Sequence, residues 1–188
     1  GNNVLHGGDG NDQLTAGAGD DYLNGGRGND NIQAGEGNNR LHGHDGDDVL
    51  VSGAGDDHLR GGWGSDTLQA GAGDDYLSGG YDNDVLDAGE GNNRAHGGDG
   101  DDIITAGSGN DYLNGGRGND DIQGGDGDND LRGHDGNDVL RAGAGNDDLR
   151  GDRGDDILNA GEGNNYLSGG DGADTLNAGA GDDKLVGG

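Results

Sequence analysis

Carboxylates are the side chains of this sequence with the clearest chemical potential, and they recur throughout it. Aspartate and glutamate number 39 against 10 lysine and arginine residues, which gives a formal net charge of -29. This charge excludes nucleic-acid binding by counterion release and disfavours insertion into, or attraction to, anionic membranes. Cations are the natural partners. Because repulsion among the carboxylates expands the bare chain, we expect cation binding and folding to be one coupled event.

The composition argues against a conventional globular core. Glycine accounts for 50 of the 188 residues, only 26% are hydrophobic, and proline, cysteine, methionine and phenylalanine are absent. Ordering a glycine-rich backbone costs roughly 1 to 2 kcal/mol per residue, which so little apolar surface cannot offset. No apolar run is long enough for a membrane span, and no signal peptide is visible. The chain starts and stops inside its own pattern, so we expect a fragment of a larger protein.

The elements that must position the carboxylates follow a strict period. An unbroken nine-residue repeat runs from Gly7 to Val186, which makes 20 units. In each unit, positions one to six are turn formers, and positions seven to nine read as a short strand with an inward aliphatic at position eight. These inward residues run from Leu14 to Leu185, with Ala95 as the exception. Such self-similarity predicts one solenoid over residues 1–188.

The sequence also repeats at two longer periods. Units beginning Ala-Gly at 16, 34, 70, 88, 106, 142, 160 and 178 interleave with units beginning with glycine, so the true period is 18 residues. Two units therefore make one coil, with a strand on each of two sheets and about ten coils in all. Residues 16–33 also closely match residues 106–123, which indicates duplication of five coils.

Units such as GGDGNDQLT at residues 7–15 resemble the RTX, or haemolysin-type calcium-binding, nonapeptide. The resemblance implies an all-β fold, a right-handed parallel β-roll, with several Ca²⁺ ions between successive loops. It also implies a secreted, extracellular bacterial protein, exported in a type I-like manner, that folds on external calcium. Calcium takes six to eight oxygen ligands, and a glycine-rich turn beside an aspartate supplies carbonyl and carboxylate oxygens.

The resemblance assigns the calcium ligands to the position-six aspartates. One edge carries an uninterrupted series: Asp12, Asp30, Asp48, Asp66, Asp84, Asp102, Asp120, Asp138, Asp156 and Asp174. The other edge carries Asp21, Asp57, Asp75, Asp111, Asp147 and Asp183, interrupted by Asn39, Asn93, Asn129 and Asn165. Each interrupted unit has an acid at position three instead: Glu36, Glu90, Asp126 and Glu162. Whether these acids complete altered calcium sites or are surface carboxylates stays open from the sequence.

Outward positions of one sheet suggest a recognition face. They carry tyrosine and arginine at 18-residue spacing: Tyr22, Arg40, Tyr76, Arg94, Tyr112 and Tyr166. Stacked tyrosines with interspersed cations suit sugars, so an anionic polysaccharide is a candidate partner, as for accessory modules of alginate epimerases. Ordinary cross-strand packing would explain the same residues.

Three functions follow from these patterns. The first is a calcium-binding structural module of a secreted protein. The second is a polysaccharide-binding module, and the third is a repeat segment of a filament, adhesin or surface layer that self-associates by coil stacking. We expect no enzyme activity, because a smooth solenoid offers no deep pocket. We interpret the six histidines as exposed polar residues rather than as ligands of a transition metal.

Overall fold

The computed structural model describes residues 1–188 and contains 21 strands and no helix. One sheet has 11 strands: β1 Val4–Asp9, β3 Tyr22–Arg27, β5 Arg40–Asp45, β7 His58–Trp63, β9 Tyr76–Tyr81, β11 Arg94–Asp99, β13 Tyr112–Arg117, β15 Asp130–Asp135, β17 Asp148–Arg153, β19 Tyr166–Asp171 and β21 Lys184–Val186. The other has 10: β2 Gln13–Thr15, β4 Asn31–Gln33, β6 Val49–Val51, β8 Thr67–Gln69, β10 Val85–Asp87, β12 Ile103–Thr105, β14 Asp121–Gln123, β16 Val139–Arg141, β18 Ile157–Asn159 and β20 Thr175–Asn177. We call them the long-strand sheet and the short-strand sheet.

Every strand pairs in parallel with the strand one coil further along. Leu23 of β3, for example, pairs with Leu5 of β1 and with Leu41 of β5, a separation of 18 residues on each side. One coil thus consists of a long strand, a three-residue loop, a short strand and a six-residue loop. The prediction of a right-handed parallel β-roll with two units per coil is confirmed. None of the chain forms a helix of the length and apolarity needed to cross a bilayer.

The core is one file of position-eight side chains from each sheet, meeting between them. Nearly all of these leucines and isoleucines are fully buried, and Ala95 occupies its place in the file at 2% exposure. Alanines that begin the six-residue loops, such as Ala34 and Ala70, extend this core at one side. The file opens in the last coil, where Leu185, predicted to point inward, is 48% exposed.

The strands of the long-strand sheet are longer than the sequence predicts. The sequence predicts a turn at positions one to three of the glycine-first units, but in all ten long strands from β1 to β19 these positions complete a six-residue strand. The position-two residue has a positive φ, as at Gly26 with φ 116°. A Cβ built on Gly26 would overlap the Gly8 carbonyl oxygen of the preceding coil. Glycine takes this conformation without strain at most position-two sites, whereas His44, His134 and Asp152 adopt a positive φ at the same position and still pair in the ladder.

Candidate metal centres along the two loop edges

The position-six aspartates form two files, one on each edge of the roll. The short-loop edge contains the three-residue loops that follow the long strands and ends each loop with an aspartate of the uninterrupted series Asp12 to Asp174. The long-loop edge contains the six-residue loops that follow the short strands, with the interrupted series Asp21 to Asp183. Register places successive members of each file one strand spacing apart, about 4.8 Å.

On the short-loop edge, the two carboxylate oxygens have different environments. Oδ1 accepts the backbone N–H of the position-six residue in the preceding coil, as from Asp84 to Asp102 at 2.8 Å and from Asp102 to Asp120 at 2.8 Å. Oδ2 is buried and has no hydrogen-bond partner in any of the ten aspartates of this file. Buried oxygens without a partner are strongly unfavourable, so each of these atoms requires a further ligand.

The buried carboxylate explains the glycine at position one. A Cβ built on Gly97 would overlap Oδ2 of Asp102, and the same overlap recurs at the other position-one glycines of this edge. The long-loop edge has alanine at most of these positions, and Ala34 and Ala88 are fully buried there. The alternation of glycine-first and alanine-first units therefore distinguishes two kinds of loop.

Burial raises the pKa of the seven carboxyls from Asp48 to Asp156 on the short-loop edge. Desolvation is the largest cause and raises the pKa of Asp66 to about 8 and those of Asp102 and Asp120 to about 7. Donation from a backbone N–H lowers these pKa values, and the negative charges of neighbouring aspartates raise them further. The file cannot be both buried and fully ionised at neutral pH unless positive charge compensates it.

Backbone carbonyls complete the set of unpaired oxygens. The position-four carbonyls, such as those of Gly100 and Gly118, accept no hydrogen bond from any backbone N–H. A carboxylate oxygen and a carbonyl oxygen without donors, repeated in every coil, are the ligand types that Ca²⁺ takes. The residues present therefore fit the calcium ions that the sequence resemblance implies.

The long-loop edge is less uniform. Oδ2 is buried without a partner in Asp21, Asp75, Asp111 and Asp147. The Ser52 hydroxyl donates to Oδ2 of Asp57. The edge thus carries the same kind of unpaired carboxylate in only some of its loops.

The four asparagine loops of this edge are bonded differently. Oδ1 of Asn93 accepts the backbone N–H of Asp75 at 2.9 Å, as an aspartate would. Its Nδ2 donates to the carbonyls of Gly89 and Gly91, both at 3.2 Å. The side chain has no unpaired buried atom.

The position-three acids of those loops are exposed rather than turned into the loop. The carboxylate of Glu90 accepts the backbone N–H of Ser108 at 3.2 Å and also the Ser108 hydroxyl. Oδ1 of Asp126 accepts the backbone N–H of Ala144 at 3.0 Å. Both acids thus contact position three of the next coil, on the outside of the edge.

The residues of the suggested recognition face lie in one row across the long-strand sheet. Pairing places Arg40 between Tyr22 and His58, and Arg94 between Tyr76 and Tyr112. In the long strands from β1 to β13, no acid stands at position seven or nine of a unit. We call the histidines, arginines and tyrosines at these positions the cationic patch: His6, Tyr22, Arg40, His42, His58, Arg60, Tyr76, Arg94, His96 and Tyr112. Burial, then the charges of His44 and the nearby arginines, lower the pKa of His42.

Tyr166 lies outside this patch. Acids enter the face at Asp130 and Asp148, whose carboxylates pair with Arg132 at 3.0 Å and Arg150 at 2.8 Å. The guanidinium of Arg150 also lies 5.8 Å from the centre of the Tyr166 ring. The predicted face is therefore continuous only from β3 to β13.

A third file was not recognised from the sequence. Position three of the glycine-first units runs along the same sheet and brings Arg117 to 3.2 Å from Asp99 and Arg153 to 2.9 Å from Asp135. In the middle of this file, the rings of Trp63 and Tyr81 stack with centroids 4.0 Å apart. Acid and arginine alternate at 18-residue spacing in the sequence, but the turn predicted at these positions gives no reason to expect them to lie side by side on a sheet.

No group of three or more histidine, aspartate and glutamate side chains lies close enough to hold a metal ion by itself. A calcium site here would depend on backbone carbonyls as much as on carboxylates. A family profile described as RTX calcium-binding nonapeptide repeat matches residues 1–32, 24–59, 60–95, 87–122, 123–158 and 159–188. No curated protein is similar enough to the chain to be identified as a relative.

Proposed function

Since the chain belongs to the family of RTX calcium-binding nonapeptide repeats, we propose that it is a structural module whose folding is driven by calcium. The observation that carries this proposal is the set of 14 buried aspartate Oδ2 atoms without a hydrogen-bond partner, ten of them on one edge. Calcium supplies positive charge and accepts oxygen ligands from both sides of a gap between coils. The position-six aspartates and position-four carbonyls are the groups that would hold it.

The parent protein, in this proposal, is exported and meets calcium outside the cell. A net charge of -29 keeps the calcium-free chain expanded, and extracellular calcium-binding modules respond at roughly 0.1 to 1 mM. The module then becomes a rigid rod that acts as a spacer or stabiliser beside other domains. It needs no catalytic role of its own.

Circular dichroism in chelator and in calcium tests this proposal. The chain should lack β-sheet signal in chelator and gain it cooperatively as calcium is added, because binding and folding are one equilibrium. Magnesium at the same concentration should be much less effective, since it requires a smaller octahedral site and gives up water reluctantly. A full β-sheet spectrum in chelator would refute the proposal.

A second candidate function is binding of an anionic polysaccharide. The observation that favours it is the cationic patch, which holds three arginines, four histidines and no acid on a chain of net charge -29. Arg40, Arg60 and Arg94 have no ion-pair partner within the chain, whereas Arg132 and Arg150 are paired. Unpaired cations beside tyrosine rings, of which that of Tyr76 is exposed, are free to contact a linear anionic polymer.

A further inference from the structure

We infer that the four asparagine loops of the long-loop edge close without calcium, and that the side-chain amide takes the place of the ion. The inference rests on the proposed function, because it assumes that the aspartate loops bind calcium. It concerns Asn39, Asn93, Asn129 and Asn165, where the chain departs from the aspartate of its other loops.

The amide nitrogens lie where loop carbonyls converge. Nδ2 of Asn39 donates to the carbonyl of Gly35 at 3.2 Å and to that of Gly37 at 2.7 Å. Nδ2 of Asn129 donates to the carbonyls at the same two positions, at 3.3 and 3.0 Å. Asn93 repeats the pattern.

Asn165, close to the last coil, makes a variant of the same arrangement. Its Nδ2 donates to the position-four carbonyl of Gly163 at 3.4 Å and to the carbonyl of Ala178 in the next loop at 3.3 Å. All four asparagines therefore satisfy the position-four carbonyl of their own loop.

The comparison with an aspartate loop shows what the substitution does. In the loop of Asp75, Oδ2 is buried and unpaired, and the position-four carbonyl of Gly73 accepts no hydrogen bond. Both groups are acceptors, so only a cation or a proton can join them. In an asparagine loop the NH₂ group supplies two donors at that point and removes one negative charge. The asparagine side chain then has no buried atom without a partner.

The four asparagines also separate most of the aspartates of the long-loop edge from one another. Reading from Asp21 to Asp183, the only two aspartates in adjacent loops are Asp57 and Asp75, and Asp57 already accepts the Ser52 hydroxyl. An ion that needs carboxylates from two successive loops finds such pairs throughout the short-loop edge but hardly at all on this one. The position-three acids, exposed and bonded to the next coil, give no inward ligand at Glu90 or Asp126.

Converting one asparagine into aspartate tests the inference. Asn93 lies between the loops of Asp75 and Asp111, so Asn93→Asp creates four successive aspartate loops, beginning with that of Asp57. We expect the folded protein to bind at least one additional calcium ion per chain, measured by equilibrium dialysis at saturating calcium. The same variant should need more calcium to begin folding, because its loop has lost the amide donors.

The matched control is Asn92→Asp, which adds the same charge at the adjacent, exposed position five. Aspartate already stands at that position in the preceding coil, where Oδ1 of Asp74 accepts the backbone N–H of Asn92 at 2.8 Å. This variant should bind the same number of ions as the unaltered chain. An unchanged ion count in Asn93→Asp, or an equal gain in both variants, would overturn the inference.

A second measurement does not depend on the variant folding. Anomalous scattering from crystals of the unaltered chain grown in calcium should show no ion in the loop of Asn39 or Asn129. An ion in those loops would also overturn the inference while leaving the proposed function intact. A chain that binds no calcium at all would instead remove the proposed function.

Discussion

At the scale of single residues, one methyl group separates the two kinds of loop. Position one is glycine in every unit of the short-loop edge, whose buried Oδ2 occupies the space of a Cβ. On the other edge, most units have alanine there, although Gly124 is an exception. The same substitution can therefore be made at equivalent positions of the two edges with different consequences for stability.

Gly97→Ala and Gly124→Ala form such a matched pair. The Cβ of the first would overlap the carboxylate of Asp102, whereas that of the second lies 3.1 Å from Leu131 and 3.2 Å from Asn129, where small shifts suffice. In saturating calcium, we expect Gly97→Ala to lower the free energy of unfolding by about 1 to 3 kcal/mol. Gly124→Ala should change it by less than about 1 kcal/mol, because reduced unfolded-state entropy compensates for the contact.

Urea denaturation of both variants in calcium measures these changes. The calcium concentration required for folding should also rise only for Gly97→Ala, since only that methyl group displaces a proposed ligand. Equal destabilisation by the two substitutions would show that the carboxylate at Asp102 has no special role at this edge.

The sequence predicted where the residue pattern departs from the family but not how the departure is accommodated. Asn39 and the related asparagines were identified as interruptions from the period alone. That Nδ2 meets two carbonyls of its own loop depends on the fold of the backbone, in which positions two and four converge. Spacing in a sequence carries no information about the direction of a carbonyl.

At the scale of elements, the charged residues on the outer face of the long-strand sheet change along its length. β5, β7 and β11 carry Arg40, Arg60 and Arg94, which have no ion-pair partner. By contrast, β15 and β17 carry Asp130 and Asp148, each paired with an arginine of its own strand. Parallel register turns an 18-residue spacing into a row of neighbours. The row was predictable, and so was its content, because both depend only on period and residue type.

The length of the strands was less predictable. Glycines at positions one and two of a unit usually indicate a turn, and this was the prediction for residues such as Gly25 and Gly26. In the roll they continue β3, since the neighbouring coil presents an identical backbone at strand distance. A regular stack thus gives glycine a place in a sheet that local preference would not.

The cationic patch should bind anionic oligosaccharides if the second candidate function holds. With calcium present, affinity for alginate oligomers should rise steeply with their length, because each added contact is intramolecular. Binding should weaken with salt. Replacing Arg40 and Arg94 together by alanine should weaken it severalfold, at about 1 kcal/mol or less for each exposed charge pair.

Arg150→Ala is the control, because that arginine is already paired with Asp148 outside the patch. Acidification well below about pH 6.5 should strengthen binding, since His42, whose pKa is lowered by burial and then by neighbouring charges, gains charge there. If isothermal titration detects no binding by the unaltered chain, the patch is ordinary sheet surface.

At the scale of the whole molecule, the five-coil duplication persists in contacts as well as in sequence. His44 lies 2.7 Å from the side-chain amide of Asn24, and His134 lies 2.7 Å from that of Asn114, which is the same pair shifted by 90 residues. Both histidines occupy a position-two site with positive φ, at 87° and 82°. The repetition indicates that an unusual backbone site was copied together with its partner.

The overall architecture was predictable because one short unit determines it. Each coil contacts only its neighbours, so period and residue type fix the sheets, the core file from Leu14 to Leu167 and the two edges. A single unit cannot specify the difference between the two edges. The edges differ because three-residue loops follow the long strands and six-residue loops follow the short strands. The short-loop edge alone presents an unbroken file of unpaired carboxylates.

Anomalous scattering from crystals grown in calcium tests this account most directly. A continuous file of ions should lie between successive loops along Asp12 to Asp174, because Oδ2 has no other partner in any of those loops. On the opposite edge, the loops of Asn39, Asn93 and Asn129 should contain none. A folded roll with no ions along the short-loop edge would contradict the account.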